Sequence, residues 1–162
     1  MGSNLAYIAL GSNLARPESR IVSAFSELDA LPETRLAAQS SLYRSAPISD
    51  IVQPDYVNAV AKIETGLDPW MLLENLLALE LAHGRRRERR NAPRTLDLDI
   101  LMYNDLVLIE KHLTIPHPRM HERLFVLCPL LEIAPDCVIP GIGRAQDLLS
   151  PLSGQVLQKM AE

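Results

Sequence analysis

The strongest constraint on the fold is a strict alternation of apolar and polar residues at positions 95–100, which read TLDLDI. Alternation with a period of two predicts a half-buried β-strand, because successive side chains of a strand point to opposite faces. The apolar side chains expected to enter a core are Leu96, Leu98 and Ile100. The polar side chains that then share the opposite face are Thr95, Asp97 and Asp99. The pattern therefore brings two carboxylates onto one small patch of a sheet.

Two carboxylates on one patch point to a metal ion. Without a counter-charge they repel each other, and one of them tends to take up a proton. A hard cation that prefers oxygen ligands stabilises both as anions, and Mg²⁺ is the natural candidate. The alternative is a solvent-facing strand whose acids only keep an edge soluble. Asp97 and Asp99 are therefore candidate metal ligands, with that alternative left open.

A run of arginines stands immediately before this strand. Six of the 16 Lys and Arg residues of the chain lie between positions 85 and 94. Guanidinium groups present planar donors that suit phosphate oxygens, and a magnesium site with paired aspartates bridges the same oxygens. A charge run is more commonly a solvated face or a nucleic-acid patch. Next to the two aspartates, however, it favours a polyphosphate held between cations.

The overall charge argues against a general nucleic-acid binder. The net charge is −4, the pI is about 5.6 and aromatic residues make up only 4% of the chain. A nucleic-acid binder needs widespread positive charge and aromatic platforms for its bases. We therefore expect no nucleic-acid partner, because the local positive charge suits a compact anionic ligand better.

Length and hydropathy predict one domain over residues 1–162 with a full hydrophobic core. No apolar stretch approaches the length of a membrane span, and the N-terminus lacks the pattern of a signal peptide. We therefore expect a cytoplasmic protein with no membrane partner. Cys128 and Cys137 are too few for a zinc ligand set or a disulfide framework. Cys128 lies in an apolar run and is predicted to be a core residue.

Periodicity predicts one sheet with helices packed on it, an α+β sandwich. Strands are expected at 6–10, 34–43, 56–64, from 95 onward and at 106–109, with helices at 17–31, 69–83 and 124–133. In the strand at 56–64, one face carries Val57, Ala59, Ala61 and Ile63, and the other carries Tyr56, Asn58 and Val60. Residues 11–13 predict a tight turn, with an anion cradle as the alternative. The pattern does not fix the strand order.

Five separated blocks of the chain, in this order, resemble the 6-hydroxymethyl-7,8-dihydropterin pyrophosphokinases of folate biosynthesis. The blocks lie at 7–14, 53–59, 84–85, 93–99 and 115–117, with Arg123 and Phe125 beyond them. The resemblance covers nearly the whole chain. It implies a ferredoxin-like α+β sandwich with one mostly antiparallel sheet. It also implies a reaction that moves the β,γ-pyrophosphate of ATP onto the hydroxymethyl group of the pterin, leaving AMP.

The resemblance also implies a role for each matching residue at the ATP site. Asp97 and Asp99 match the acids that hold two Mg²⁺ ions. Arg85 and Arg94 match arginines that clamp phosphate and stabilise charge in the transition state. Further ATP contacts are implied at Glu80, Thr114, His117 and Arg123.

The pterin site is implied by a second set of matching residues. Asn58 offers the paired donor and acceptor that a pterin edge requires, and Tyr56 and Phe125 supply faces for stacking. On residue type alone, simple core packing would be favoured for the two aromatic residues. The loop whose backbone lines the same pocket matches Ser45, Ala46, Pro47 and Ile48. We expect a monomer with ATP and the pterin as its partners.

Two other functions stay open at this stage. Ferredoxin-like domains often bind RNA on their sheets, but that function needs aromatic residues on neighbouring central strands, and the sequence lacks this pattern. Magnesium-dependent phosphoryl transfer to another heterocycle is the second alternative.

Overall fold

The main sheet is antiparallel throughout and joins strands that lie far apart in the sequence. The computed structural model describes residues 4–14, 16–47, 52–84 and 95–161. The first elements are β1 (Asn4–Ser12), α1 (Pro17–Asp29), β2 (Thr34–Gln39), β3 (Tyr43–Ser45), β4 (Tyr56–Thr65), α2 (Pro69–Ala82) and β5 (Asp97–Tyr103). The elements that follow are β6 (Leu108–Ile109), β7 (Thr114–Ile115), a 3₁₀ turn (Met120–Glu122), α3 (Leu124–Ile133), β8 (Val138–Ile139) and β9 (Gly143–Arg144). Two 3₁₀ turns (Ala145–Leu148 and Ser150–Leu152) and β10 (Leu157–Lys159) complete the fold.

The strand order, which the sequence pattern leaves open, is β10-β3-β4-β1-β5, with β2 also paired to β4. β4 is central: β1 pairs along one side of it, and β2 and β3 share the other side. The succession β1-α1-β2-β4-α2-β5 is the βαββαβ arrangement of a ferredoxin-like sandwich. This confirms the prediction of an α+β fold with one mostly antiparallel sheet and packed helices.

The sheet separates two hydrophobic cores. α1 and α2 contribute to the core on one face, and α3 contributes to the core on the other. The predicted alternation in β4 is confirmed, because Val57, Ala59, Ala61 and Ile63 lie in the first core and Val60 lies in the second. The prediction for the apolar residues that alternate with the two aspartates is also confirmed. Leu96 is 0% exposed, Leu98 4% and Ile100 5%.

A β-bulge in β5 ends the predicted alternation. Ile8 pairs with Ile100 whereas Tyr7 pairs with Met102, so Leu101 is an extra residue in the strand. As a result, Leu101 and Met102 both face the core under α3. The bulge therefore changes the direction of the chain immediately after the two aspartates.

The strand predicted at 34–43 is divided into β2 and β3. The break follows Gln39, where Ser40 N donates to Val60 O at 2.9 Å and the Ser40 hydroxyl accepts a hydrogen bond from Val60 N at 2.9 Å. A side chain thus replaces one backbone group of the ladder at this point. β1 extends to Ser12, so the tight turn predicted at 11–13 is wrong for its first two residues, which are in the strand.

The helices lie close to their predicted positions. Asp68 begins α2 as predicted, since its carboxylate accepts a hydrogen bond from Met71 N at 2.8 Å. α3 has the predicted bounds. Within the described part of the chain, no helix has the length and apolar character needed to cross a membrane.

Both cysteines are free thiols in partly buried positions. The prediction that Cys128 is a core residue is therefore wrong. It lies on α3, outside the set of that helix's residues that are buried against the sheet, Val126, Leu127, Pro129 and Leu130. Partial burial raises the pKa of both thiols, which disfavours the reactive thiolate.

Candidate active site

A cleft opens beside β1, β4 and β5 and is bordered by the N-terminal end of α3. The candidate residues that line it are Ser45, Ala46, Tyr56, Asn58, Asp97, Asp99, His117, Arg123 and Phe125. These residues come from three strands, three connecting segments and one helix. The fold thus brings together residues that the sequence separates by up to 80 positions.

The register of the sheet explains why the polar residues meet. Gly11 of β1 pairs with Asn58 on one side and with Asp97 on the other, so the three residues form one row across the sheet. In the same way, Ala9 pairs with Asp99. A Cβ atom at Gly11 would lie 3.7 Å from Asn58 Oδ1, in van der Waals contact. Small residues in β1 therefore keep the floor of the cleft low between the amide and the carboxylates.

The donor set of the cleft fits Mg²⁺. Asp97 and Asp99 alternate along β5, line the same cleft and supply hard oxygen ligands. The described residues contain no group of three or more His, Cys, Asp or Glu side chains arranged to hold a metal ion. A closed protein cage is thus absent from this part of the chain. Mg²⁺ commonly takes one or two carboxylates and completes its shell with water and substrate phosphates.

Glu80 lies behind the aspartates rather than in the cleft lining. Its side chain is 2% exposed, and its carboxylate accepts a hydrogen bond from Leu98 N at 2.7 Å. That amide belongs to the peptide between Asp97 and Leu98. Glu80 therefore links α2 to the strand segment that carries both aspartates, a role that the sequence did not suggest.

His117 is held as a neutral hydrogen-bonding group. Its backbone N donates to Leu101 O, at the bulge of β5, over 2.9 Å. Its Nδ1 accepts a hydrogen bond from Arg119 N at 3.2 Å. Burial, together with the charges of Arg123 and Arg119, lowers the pKa of His117 from 6.5 to about 4. At neutral pH the remaining proton is on Nε2, which is thus a donor.

Arg123 supplies the positive charge in the described part of the lining. Its guanidinium carbon lies 5.6 Å from the centre of the Phe125 ring, in a cation–π arrangement. Burial lowers the pKa of Arg123, while the charges of Asp99 and Asp97 act in the opposite direction. Arginine stays charged under these conditions. A cation and two carboxylates therefore share one partly buried cleft.

Asn58 forms the polar end of the cleft. It is 4% exposed, and its Nδ2 donates to Ser45 Oγ at 2.8 Å. Nδ2 also donates to Tyr43 O at 3.5 Å, so these two bonds fix the plane of the amide and set the direction of its acceptor, Oδ1. Tyr56 and Phe125 line the same cleft and offer aromatic faces.

Two further candidate residues, Pro47 and Thr114, do not line the cleft. Pro47 is partly buried next to Ala46, outside the lining. Thr114 is in β7, where its hydroxyl donates to Glu110 O at 3.4 Å. Arg85, Arg94 and Ile48 lie outside the described residues. Gly11 also lines the cleft. The sequence analysis placed it in a turn, whereas it is in β1, and a glycine inside a strand indicates close approach of another group.

Two comparisons with known sequences identify relatives of this chain. The model of the 7,8-dihydro-6-hydroxymethylpterin-pyrophosphokinase (HPPK) family matches residues 7–135. The chain is 46% identical over 155 residues to the 2-amino-4-hydroxy-6-hydroxymethyldihydropteridine pyrophosphokinase of Haemophilus influenzae, covering 96% of this chain and 97% of that protein. It is 44% identical over 154 residues to the protein of the same name from Pseudomonas aeruginosa, covering 95% of each.

Solved structures show a similar fold. An HPPK-DHPS protein in complex with substrates matches with a TM-score of 0.73 at 13% identity, over 94% of this chain and 44% of that chain. The HPPK-DHPS of Plasmodium falciparum matches with a TM-score of 0.70 at 15% identity, over 93% of this chain and 44% of that chain. This chain thus spans less than half the length of those solved chains, and the likeness to them concerns the fold.

Proposed function

This chain belongs to the 7,8-dihydro-6-hydroxymethylpterin-pyrophosphokinase family, and we propose that it transfers pyrophosphate from ATP to the hydroxymethyl group of 6-hydroxymethyl-7,8-dihydropterin. The products are AMP and the pterin diphosphate, an intermediate of folate biosynthesis. The observation that carries the proposal is the common cleft. Two carboxylates and an arginine border the same space as a buried amide and two aromatic rings.

The carboxylate end of the cleft suits the triphosphate. Asp97 and Asp99 would hold the two Mg²⁺ ions, and bound Mg²⁺ neutralises phosphate charge. Arg123 offers a planar set of donors to phosphate oxygens, and the neutral His117 offers one more through Nε2. We also assign Arg85 and Arg94 to the clamping of phosphate, and Glu80 and Thr114 to the ATP side, on the sequence resemblance.

The amide end of the cleft suits the pterin. A pterin ring is flat and carries alternating donors and acceptors along one edge. Asn58 offers Oδ1 as an acceptor for a pterin N–H, and its bonds to Ser45 and Tyr43 fix the orientation of the amide. Tyr56 and Phe125 give the ring faces to stack on, and Ser45 and Ala46 line the same pocket. We also assign Pro47 and Ile48 to the pterin side, on the sequence resemblance. Binding in this direction aims the hydroxymethyl group at the carboxylate end, where its oxygen attacks the β-phosphorus of ATP.

We further propose that the enzyme binds two Mg²⁺ ions, acts as a monomer in the cytoplasm and has no nucleic-acid partner. These proposals follow from the sequence resemblance and from the net charge of −4 of the chain.

The direct test is the identity of the nucleotide product. Purified protein is incubated with MgCl₂, ATP and 6-hydroxymethyl-7,8-dihydropterin, and nucleotides are separated by ion-exchange chromatography. We expect AMP to form in equal amount to the pterin diphosphate. The matched control replaces the acceptor with 6-methyl-7,8-dihydropterin, which lacks the attacking hydroxyl, and should give no AMP. Formation of ADP, or of AMP with the control pterin, would contradict the proposal.

A further inference from the structure

Arg123 stands at a junction that its own side chain does not stabilise. It lies between the 3₁₀ turn Met120–Glu122 and α3, with an extended backbone at φ −124° and ψ 110°. Its carbonyl accepts hydrogen bonds from Val126 N and Leu127 N, each at 3.0 Å, which begins the helix. The guanidinium makes no capping bond, since it lies over the Phe125 ring. The N–H at the start of α3 therefore needs a partner from elsewhere.

Gln155, more than 30 residues later in the chain, supplies that partner with one amide group. Leu124 N donates to Gln155 Oε1 at 2.9 Å, and Gln155 Nε2 donates to Glu122 O at 2.8 Å. The first bond holds the peptide that follows Arg123, and the second holds the peptide that precedes it. Because φ and ψ of a residue are the rotations between its two flanking peptides, one planar amide fixes both angles of Arg123.

The base of this amide is itself anchored. Gln155 N donates to Leu152 O at 2.9 Å, and Leu152 is 8% exposed in the core that also contains α3. Gln155 is an exposed residue, but both polar groups of its side chain form hydrogen bonds with backbone atoms. Replacement of an ordinary exposed polar residue changes the stability of a protein only slightly. Gln155 differs because it constrains a residue of the cleft.

We infer that Gln155 is a positioning residue that sets the direction of Arg123 toward the polyphosphate. Gln155 itself is not part of the cleft lining and acts through the two peptides. The inference rests on the proposed function only in the assignment of Arg123 to ATP. An arginine held at both flanking peptides binds phosphate without the entropy cost of ordering its backbone, so the expected effect is on ATP affinity.

The test compares Gln155→Met, which keeps the side-chain length but removes the amide, with Gln158→Met. Gln158 is an exposed glutamine on β10 and serves as the matched control. The dissociation constant of a non-hydrolysable ATP analogue is measured by calorimetry in the presence of MgCl₂. Because two hydrogen bonds are lost, we expect Gln155→Met to weaken binding by about tenfold. The dissociation constant of the control variant should stay within about twofold of the wild-type value, which corresponds to less than about 0.5 kcal/mol.

A double-mutant cycle with Arg123→Ala separates positioning from general loosening of the helix. If Gln155 acts through Arg123, then Gln155→Met should have no further effect on analogue binding once Arg123 is alanine. Additive effects, or normal binding by Gln155→Met, would overturn the inference. A helix start that is simply loosened would also displace Phe125, and an equal rise in KM for the pterin would likewise overturn it.

The same set of proteins distinguishes failure of the inference from failure of the proposed function. Normal analogue binding by Arg123→Ala would remove Arg123 from the ATP site, and the inference with it, while the AMP assay of the wild-type protein still stands. Absence of AMP from the wild-type protein would instead reject the reaction. Melting temperatures of all variants, recorded without ligand, show that each one is folded when its binding is measured.

Discussion

At the scale of single residues, Asp97 and Asp99 are the side chains whose positions were best predicted. Their alternation with buried leucines required a strand, and a strand required a common face, so local sequence was sufficient. Gln155 is the opposite case. Its role depends on contacts with Glu122 and Leu124, which only the completed fold brings near. Glu80 is similar, since no local pattern indicates that its carboxylate would meet a strand amide.

Replacement of Asp97 by asparagine tests the metal assignment. Asparagine keeps the shape of the side chain but loses the charge, so we expect the rate of AMP formation to fall by about 10³-fold or more. The control is Asp105→Asn, in the exposed turn that follows β5. Steady-state rates at saturating MgCl₂, with circular dichroism to verify folding, provide the measurement. Near-normal turnover by Asp97→Asn would remove Asp97 from the site.

His117 predicts a dependence of stability on pH. Its folded pKa of about 4 lies below its ordinary value of 6.5, so the folded state binds fewer protons than the unfolded state between these values. The free energy of unfolding should therefore rise with pH between pH 4 and pH 6.5. Above pH 6.5 the stabilising contribution of the neutral His117 is fully present. From pH 4.5 to 7.5 the contribution of this one group is about 2 to 3 kcal/mol.

The measurement is urea unfolding of the wild-type protein and of His117→Gln at pH 4.5, 5.5 and 7.5. Carboxylates also titrate in this range, but they do so in both proteins, and the comparison removes their effect. Relative to the wild type, the variant should gain stability at the lowest pH. Parallel pH profiles for the two proteins would contradict a neutral, buried His117.

At the scale of elements, the sequence predicted the faces of strands better than their ends. The buried face of β4 and the bounds of α3 follow from the spacing of apolar residues within one segment. The division between β2 and β3 does not, because it depends on the hydroxyl of Ser40 reaching Val60 N across the sheet. The bulge at Leu101 also depends on the partner strand. Register and strand order depend on pairs of segments, so they cannot be predicted from the sequence of one segment alone.

Ser40→Ala tests the break between β2 and β3. Ser40 is 5% exposed, and its hydroxyl accepts from the buried N–H of Val60. Alanine would leave that N–H without its partner, so we expect the free energy of unfolding to fall by about 1 to 3 kcal/mol. Ser153→Ala, at an exposed position, is the control. A change of under about 0.5 kcal/mol for Ser40→Ala, which is typical of surface substitutions, would show that the hydroxyl is not needed there.

At the scale of the whole molecule, the cleft forms where elements from distant parts of the chain meet. The central strands provide the floor, β3 provides Ser45, and the segment before α3 provides His117 and Arg123. Among the described residues, no single element contains a complete binding site for either proposed substrate. Ligand binding should therefore be coupled to the stability of the entire fold rather than to one helix or loop.

Thermal unfolding tests this coupling. A non-hydrolysable ATP analogue with MgCl₂, at a concentration of 100 times its dissociation constant, should stabilise the protein by about 2.7 kcal/mol. We expect a higher melting temperature, and addition of excess EDTA should reverse most of the rise. The analogue with an Asp97→Asn variant is the matched control. An equal rise with EDTA present would mean that the nucleotide binds without the metal.

The pairing of β10 with β3 limits how far the cleft can widen. Leu157 pairs with Ser45 at one part of the lining, and Gln155 holds the peptides around Arg123 at another. Only Val156 lies between Gln155 and Leu157 in the chain, and the two residue steps that join them span about 7 Å at most. The segment thus limits the distance between the amide end of the cleft, next to Ser45, and the part of the lining that carries Arg123. A substrate that needs a larger gap must first break a strand pair or an amide bond, so the size limit on the acceptor is set partly from outside the cleft.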